Sequence, residues 1–545
     1  MRRDSLLFTL FLLGTLLIHW PAHQAGFVSD FLGWQDLYNK GSFWGVFNSF
    51  GYGGHQQVLQ LINYTMYKIF GTYGIPWYVL FCTMHAINGW LLYRFILKIS
   101  ELWGIPDARW SAVAGALFFL FSPYNPEATV WRVCLHYMIS GMCTLGALLL
   151  TTEYLVRGDV RKLWWAHGLM LINLFTLELA LAIPLLTHAL VIGWFIMRPT
   201  RSDLNEMPFS WKQIFQYMTL PQAGLYAFFF LFNKLTLGQW VGHYGEARML
   251  KFDYLRMLST PLKYTIKHIG FVRNWAHPAK MLVFDFFSTP TGLMWGYGVL
   301  LSMVLAVLLF RKRLPARYGA VTLLLCMGIL AALPVSNLHF EWVLYNENDR
   351  YGYLTSLFCM PALALLIAAL PRWWNLTTGV LYLTLSVWLM FQTVVWWGEM
   401  ERIYRQLLDE FKWYDNKEIV VMSMADDYRG IWMFRIYSKE SALADALNMV
   451  KGRRPSGKIT ETAFFNMNSA ADGMTATRPD PNGPIRVEFN EWGSWWWLAG
   501  LGANDYETDD FKVVFKDKYY ELTPKSDHKD AVYIYQSGEH WKTLE

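Results

Sequence analysis

The sequence predicts a polytopic α-helical membrane protein with a C-terminal water-soluble domain of mixed α/β structure. Only 16% of its 545 residues are charged and 54% are hydrophobic, whereas soluble chains carry about 25% charged residues. Apolar runs long enough to cross roughly 30 Å of hydrocarbon recur through the first part of the chain. After residue 398 these runs stop. We therefore predict a transmembrane module over residues 1–398 and a soluble domain over residues 399–545.

The apolar runs predict about eleven transmembrane helices of the kind that make up a helical membrane module. The runs lie at residues 5–20, 76–97, 110–122, 134–155, 162–177, 179–197, 213–232, 291–310, 317–334, 352–370 and 375–397. A corner at Glu178 separates two of them and sets whether the helix count is odd or even.

The distribution of Lys and Arg over the short loops orients these helices, because cytoplasmic loops collect positive charge. An N-terminus inside agrees with basic residues such as Arg94, Arg161 and Arg372 at alternate loops. It places residues 21–75, 123–133, 178, 233–290 and 335–351 and the C-terminal domain outside. This charge pattern and five cysteines without paired spacing suit a bacterial inner membrane with a periplasmic face, while an internal eukaryotic membrane remains open.

Two of the outer loops exceed 50 residues, too long for structureless connectors. Residues 44–50 and 254–271 mix apolar and polar positions at near-helical spacing. We expect helices lying in the membrane interface there.

The C-terminal domain begins with an amphipathic helix predicted over residues 399–412. Alternating residues at 418–421, 485–489, 511–515 and 532–535 predict strands. The chain has no Gly-rich phosphate loop, which argues against a nucleotide-driven pump. Its net charge of +5 is too small to indicate nucleic acid as a partner.

Ionisable residues near the outer ends of the spans are the candidate site, because charge near hydrocarbon is rarely kept without use. The alternative is that each is a solvated loop charge. These residues are Asp30, Asp36, Glu127, Arg132, His136, Glu178, Glu341, Glu347, Asp349 and Arg350.

The fourth outer loop is strongly basic, which predicts an anionic partner such as a lipid phosphate or pyrophosphate. Unspecific attraction to anionic headgroups is the alternative. Lys263 and Lys267 stand four residues apart, hence on one helix face, and Arg350 could join them around a phosphate. The basic residues are Arg248, Lys251, Arg256, Lys263, Lys267, His268, Arg273 and Lys280.

Three stretches resemble the GT-C membrane glycosyltransferases, particularly the protein O-mannosyltransferase branch and its TPR-containing relatives. FSPYNPEATVW (121–131) resembles their P-x-x-x-E-A-V-x-W outer loop, LELALAIP (177–184) their K-E-x-x-x-x-x-P corner, and DRYGYL (349–354) their E-R-Y-x-Y-L-P run. An acidic first outer loop precedes all three, as in that family.

The departures from the family pattern limit what is carried over. Only Asp30 stands where the family often has two adjacent acids, Leu177 replaces a Lys, and Thr355 replaces a Pro. There are no TPR repeats, so acceptor recognition is not implied.

The resemblance implies transfer of a sugar from a polyprenyl-phosphate donor to a protein, glycan or lipid acceptor at the outer face. Asp30 would be the general base, with Glu127 and Glu178 as catalytic supports. Arg350, Lys263 and Lys267 would hold the departing phosphate, and displacement would invert the anomeric carbon. The remaining candidates for substrate binding are Asp36, Arg132, His136, His268 and Tyr351.

Two questions stay open at this level. Asp30 with Glu127 could hold a divalent cation through oxygen ligands, although no dense carboxylate cluster is visible. A transporter or flippase for a polyprenyl-linked or other amphiphile is the rival class, and it predicts mid-span charges and internal repeats. Mid-span charges are scarce here, and no repeat is visible. A non-catalytic assembly protein whose soluble domain binds partners is a third class.

Overall fold

A computed structural model gives the fold of this chain. It describes residues 2–49, 54–197, 210–242, 253–336, 348–414, 416–434, 441–480, 483–489, 495–497, 500–501, 504–516, 519–525 and 531–544.

The chain is mainly helical up to residue 410 and mainly strand afterwards. The helices are α1 (Arg2–His19), α2 (Asp30–Lys40), α3 (Phe43–Phe47), α4 (Gln57–Phe70), α5 (Gly74–Leu102), α6 (Ala108–Leu120), α7 (Pro126–Val130), α8 (Leu135–Arg157), α9 (Val160–Leu174), α10 (Ile183–Met197), α11 (Trp211–Ile214), α12 (Leu220–Leu237), α13 (Tyr254–Gly270), α14 (His277–Phe286), α15 (Pro290–Phe310), α16 (Ala316–Ala332), α17 (Tyr353–Ile367), α18 (Arg372–Glu410) and α19 (Ala442–Lys451). The strands are β1 (Ile419–Tyr428), β2 (Ile431–Trp432), β3 (Ile459–Glu461), β4 (Phe464–Met467), β5 (Met474–Thr477), β6 (Ile485–Phe489), β7 (Trp495–Trp497), β8 (Gly500–Leu501), β9 (Tyr506–Glu507), β10 (Phe511–Phe515), β11 (Tyr519–Pro524), β12 (Val532–Ser537) and β13 (His540–Thr543).

The chain divides into two compact units. The first contains residues 1–20, 42–130 and 134–394, and the second contains residues 21–41, 131–133 and 395–545. The second unit therefore includes residues 21–41, 131–133 and 395–398, which precede the boundary predicted at residue 398. Residues 21–41 and 131–133 are distant in sequence from the C-terminal residues, and tertiary contacts such as Gly26 with Glu401 and Trp131 with Trp432 join them.

The first unit contains the apolar helices. Among the described residues, eight helices are long and apolar enough to cross a membrane, and Ala108–Leu120 is a shorter apolar helix. Every one of the eleven predicted runs falls on a helix. The predicted count of eleven spans is not established, because α6, α9 and α12 fall short of the length or hydropathy that a span needs.

Buried polar side chains join the helices of this unit. His85 on α5 contacts the Tyr353 hydroxyl at 2.8 Å and the Leu120 carbonyl at 3.0 Å, and Asn88 donates to the same hydroxyl at 3.0 Å. Since buried polar groups need partners, these contacts fix α17, which follows the candidate site, against α5.

The two predicted interfacial segments are helical. Residues 254–271 form α13, whose buried side includes Lys263, Tyr264 and Lys267. Residues 44–50 coincide with α3 up to Phe47, and Phe50 lies outside the described residues.

The second unit contains two sheets. The first has the strand order β13-β12-β1-β4-β7-β8, with β2 and β3 also pairing with β1, and the second has the order β5-β6-β11-β10-β9. Strand β1 runs parallel to β12, β3 and β4 and is buried along its whole length, as expected for a central parallel strand. The predicted segments 485–489, 511–515 and 532–535 lie in observed strands, and 418–421 overlaps β1 from Ile419 onward.

Helix α18 differs from its prediction. Residues 375–397 and 399–412 were expected as a span followed by a separate amphipathic helix, yet a single helix of 39 residues covers Arg372–Glu410. Gly398 is the only weak helix former between the two segments, and one glycine costs about 1 kcal/mol, too little to end a long helix.

Candidate active site

The centre of the candidate site is a buried ion pair between Glu127 and Arg350. Both Glu127 oxygens are used: Oε2 accepts the Arg350 backbone N–H at 2.7 Å, and Oε1 accepts from Nη1. The Arg350 guanidinium also lies 4.5 Å from the Tyr351 ring centroid. Side chain and backbone together hold Glu127 in one orientation, which is the geometry of a strong charge-assisted pair.

Asp349, one residue earlier, pairs with two further cations. Lys267 from α13 and Arg273 from the turn after α13 both bind its carboxylate. Arg273 Nη2 also donates to the Pro123 carbonyl at 2.8 Å and to Thr393 Oγ1 at 2.9 Å. Arg273 therefore connects the loop before α7 to α13 and α18.

These five groups form one buried electrostatic cluster: Glu127, Lys267, Arg273, Asp349 and Arg350. None is more than 8% exposed. Burial lowers the pKa of Lys267, and the charges of Asp349 and Glu127 oppose that shift. With all groups ionised, three cations face two carboxylates, so the cluster carries a surplus positive charge, as an anion site requires.

The backbone that carries Asp349 and Arg350 is set by a left-handed residue. Asn348 has φ 63°, a conformation that Asn tolerates better than most residues. Its carbonyl accepts a hydrogen bond from the Tyr264 hydroxyl at 2.9 Å. The short 3₁₀ turn Asp349–Gly352 follows directly and leads into α17.

His268 lies against this turn. Its side chain is 1% exposed, and burial lowers its pKa to about 3. The ring meets Tyr124 edge-on at 5.1 Å. The lowered pKa favours the neutral imidazole, which can still donate one hydrogen bond, and the substrate-binding role of His268 stays a prediction.

Two further lysines near the cluster have lowered pKa values: Lys263 on α13, the helix that carries Lys267, and Lys280 on α14. Lys263 donates to Ser288 Oγ at 2.7 Å and lies 3.8 Å from the Phe284 ring centroid. Burial lowers the pKa of Lys263 to about 8 and that of Lys280 to about 8. For Lys280, the charges of Arg273 and Lys267 add to this effect.

Two other predicted residues of the first unit occupy helix starts. Glu178 opens the 3₁₀ turn Glu178–Ala182 between α9 and α10 and is buried. His136 lies in the first turn of α8 with its ring 4.4 Å from that of Tyr137, which in turn meets Tyr351 edge-on at 5.9 Å. Their proposed roles stay predictions.

The remaining predicted residues belong to the second unit. Asp30 is the first residue of α2, and Asp36 on the same helix pairs with Lys40 at 2.8 Å. Arg132 is buried, and its Nη2 donates to the His23 carbonyl at 3.3 Å. Arg132 thus contacts the first outer loop, and its role in substrate binding stays a prediction.

Sequence reasoning missed two members of the cluster. Arg273 is one of eight basic residues in its loop, and the sequence gives no reason to select it. It stands six residues after Lys267, a spacing that does not place both on one face of a helix. Asp349 was noticed as an outer acid but given no role. The signal for Asp349 was its position directly before Arg350, which puts it on the same short turn.

In the part of the chain that the structure describes, no group of three or more His, Cys, Asp or Glu side chains could hold a metal ion. Arg248, Lys251, Glu341 and Glu347 lie outside the described residues.

Fold and site together define a multi-pass helical membrane protein with a buried, cation-rich cluster at the ends of its helices. No family model matches the chain, and no curated protein matches it.

Solved structures that are similar to it include the following three. ArnT from Cupriavidus metallidurans bound to undecaprenyl phosphate is 12% identical with a TM-score of 0.33, and the match covers 94% of this chain and 97% of that one. The same protein in the apo state is 12% identical with a TM-score of 0.35, covering 84% and 92%. The oligosaccharyltransferase of Archaeoglobus fulgidus, in complex with Zn and sulfate, is 10% identical with a TM-score of 0.36, covering 82% and 62%. TM-scores below 0.5 report a likeness alone and carry no conclusion about function.

Proposed function

We propose that this protein is a membrane glycosyltransferase that moves a sugar from a polyprenyl-phosphate donor to an acceptor hydroxyl on the extracytoplasmic face. The acceptor is a protein, a glycan or a lipid. The buried pairing of Glu127 with Arg350 carries the proposal, because these residues come from two of the three stretches that resemble the GT-C glycosyltransferases.

The cluster has the charge that this reaction needs. When the bond from the anomeric carbon to the phosphate oxygen breaks, negative charge grows on the departing phosphate. Fixed cations in a site with little water stabilise that charge most effectively. The resemblance implies this role for Arg350, Lys263 and Lys267, and Arg273 adds a further buried cation. Glu127 and Asp349 keep these cations in place before the donor arrives.

Asp30 is the proposed base. The acceptor oxygen forms a bond to the anomeric carbon while its proton moves to the Asp30 carboxylate, and polyprenyl phosphate leaves. A single displacement of this kind inverts the anomeric carbon. Asp30 is half-buried at the first position of α2, and a carboxylate within hydrogen-bond reach of the acceptor hydroxyl is the kind of group that serves as a general base.

The test is transfer of a labelled sugar from a synthetic polyprenyl-phosphate donor to an acceptor extract by the full-length protein in detergent. Asp30→Asn keeps the size of the side chain and removes the base. Asp409→Asn is the matched control, because Asp409 is an exposed acid of the second unit paired with Lys451.

Transfer by the wild type and by Asp409→Asn that is lost in Asp30→Asn supports both the reaction and the base. Transfer that survives in Asp30→Asn overturns the base. If folded wild-type protein transfers no sugar from any donor, the glycosyltransferase proposal fails and the transporter class becomes the better one.

A further inference from the structure

Residues 25–29, which lead into Asp30, are buried and held in an unusual conformation. Ala25, Phe27, Val28 and Ser29 are each at most 4% exposed. Ser29 has φ 54° although it is not a glycine, a strained backbone conformation that persists only when the surroundings impose it. Other parts of the second unit must therefore fix this segment.

Two contacts hold Gly26 from both sides. Its N–H donates to Glu401 Oε2 at 3.2 Å, and its carbonyl accepts the Arg132 backbone N–H at 3.1 Å. The other Glu401 oxygen accepts from Arg405 Nε at 2.8 Å, which fixes the carboxylate on α18. Glu401 is 4% exposed, and the reaction proposed above gives this buried acid no task.

Further contacts fix the flanking residues. Trp131 Nε1 donates to the Val28 carbonyl at 3.1 Å, and its indole packs edge-on against Trp432 at 5.3 Å. Helix α18 also approaches the start of the segment closely, since a Cβ at Gly398 would lie 2.6 Å from the Pro21 carbonyl oxygen. Gly398 and Glu401 are three residues apart, hence on one face of α18.

We propose that Glu401 is a positioning residue for the Asp30 base. It accepts the Gly26 amide and so fixes the segment that sets where Asp30 stands at the start of α2. Trp131 supports the same segment from a second direction. This inference rests on the proposed function and adds to it a residue far along the chain that acts through the backbone of the first outer loop.

The test compares Glu401→Ala and Glu401→Gln with the wild type in the sugar-transfer assay. Loss of the contact leaves Asp30 chemically intact but misplaced, and misplacement by about 1 Å can lower a rate about 100-fold. We expect Glu401→Ala to lose kcat by that order with little change in KM for the donor. Glu401→Gln retains an oxygen for the Gly26 amide and recovers part of kcat. Glu410→Gln, an exposed acid of α18 that contacts His540, keeps wild-type kinetics.

Hydrogen exchange of the full chain, followed by mass spectrometry, separates this inference from the function itself. In Glu401→Ala the amides of residues 22–30 exchange faster than in the wild type, whereas peptides of α5 and α8 do not. This readout requires no transfer activity. Asp30→Asn loses transfer without changing the exchange of residues 22–30.

Three results overturn the inference: unchanged kcat in Glu401→Ala, unchanged exchange of residues 22–30, or faster exchange throughout the protein, which would indicate a general structural role. If Glu401→Ala does not fold, Trp131→Phe keeps an aromatic side chain, although a smaller one, and removes the hydrogen bond to Val28. It is expected to lower kcat in the same way, and wild-type kcat in Trp131→Phe would then count against the inference. No transfer by the wild type is the failure of the proposed function, and it also removes the catalytic meaning of the contact.

Discussion

The carboxylate of Glu127 receives both the backbone amide and the guanidinium of Arg350, a residue 223 positions later in the chain. This contact joins two stretches that had been linked only by resemblance. Its burial makes the pair sensitive to the loss of either partner, because the remaining charge would stay buried without compensation.

Glu127→Ala should destabilise the protein by about 3–5 kcal/mol, since it leaves Arg350 without its carboxylate. An unfolding titration with SDS, followed by tryptophan fluorescence, measures this loss. Lys162→Gln is the control, because Lys162 pairs with Glu153 at the surface, where a pair is worth less than about 1 kcal/mol. Equal effects of the two variants would show that the Glu127 pair is not buried in the membrane-embedded protein.

Arg273 and Asp349 should behave as one unit in a double-mutant cycle. Arg273→Met and Asp349→Asn each remove one partner, and Asp349→Asn, which leaves both Arg273 and Lys267 without their carboxylate, is expected to destabilise by roughly 3–5 kcal/mol. Arg273→Met is expected to cost less, because Lys267 still pairs with Asp349. The double variant should be less damaging than the sum of the two by about 0.5–3 kcal/mol, because the contact between Arg273 and Asp349 can be lost only once. The same SDS titration measures all three proteins. Strict additivity would contradict the direct contact.

Gly352→Ala tests the packing beneath the Asp349–Gly352 turn. A Cβ there would lie 2.5 Å from His268 Nε2 and 2.8 Å from Tyr264 Cδ1. Overpacking of this kind typically costs about 1–3 kcal/mol. The control is Gly168→Ala on α9, where an added Cβ meets nothing within 4 Å, and it should stabilise the helix by roughly 0.5–1 kcal/mol. A melting temperature that falls in Gly352→Ala and not in Gly168→Ala is the expected result.

The lowered pKa of Lys263 gives a pH dependence of fixed sign. Burial brings this pKa to about 8 from 10.5, with Arg256 also lowering it and Asp285 raising it. Between these values the unfolded chain binds a proton that the folded one does not, so this group makes stability rise with pH over that window. Lys263→Met should reduce that rise in an unfolding titration at pH 7 to 10, and Lys280, whose pKa is also lowered to about 8, should account for a remaining part of it.

Loss of the proton from Lys263, which raises stability, should weaken binding of the donor. If Lys263 contributes positive charge to the phosphate site, KM for the donor rises as the pH passes about 8. Lys263→Arg keeps its charge throughout this range and should remove the alkaline rise. Lys280→Arg is the comparison, because the pKa of Lys280 is also lowered to about 8. A rise that disappears only in Lys280→Arg would assign the phosphate contact to Lys280.

The sequence by itself determined the helical membrane module and the sheet-containing C-terminal part. Apolar runs and strand alternation are local patterns, and every predicted run at residues 5–397 lies on a helix. Local patterns also indicated Glu127 and Arg350, each within a short motif. Local patterns were less reliable for the end of a helix: the sequence predicted that the last span ends at residue 397, whereas α18 continues through Gly398 to Glu410.

Only the tertiary structure decided which charges meet. Arg273 joins Asp349 across 76 positions, and Gly26 joins Glu401 across 375. Neither contact has a local signal, because the pairing of buried charges depends on which helix ends the fold brings together. For the same reason residues 21–41 of the first outer loop belong to the same compact unit as the C-terminal strands, which the order of residues along the chain does not reveal.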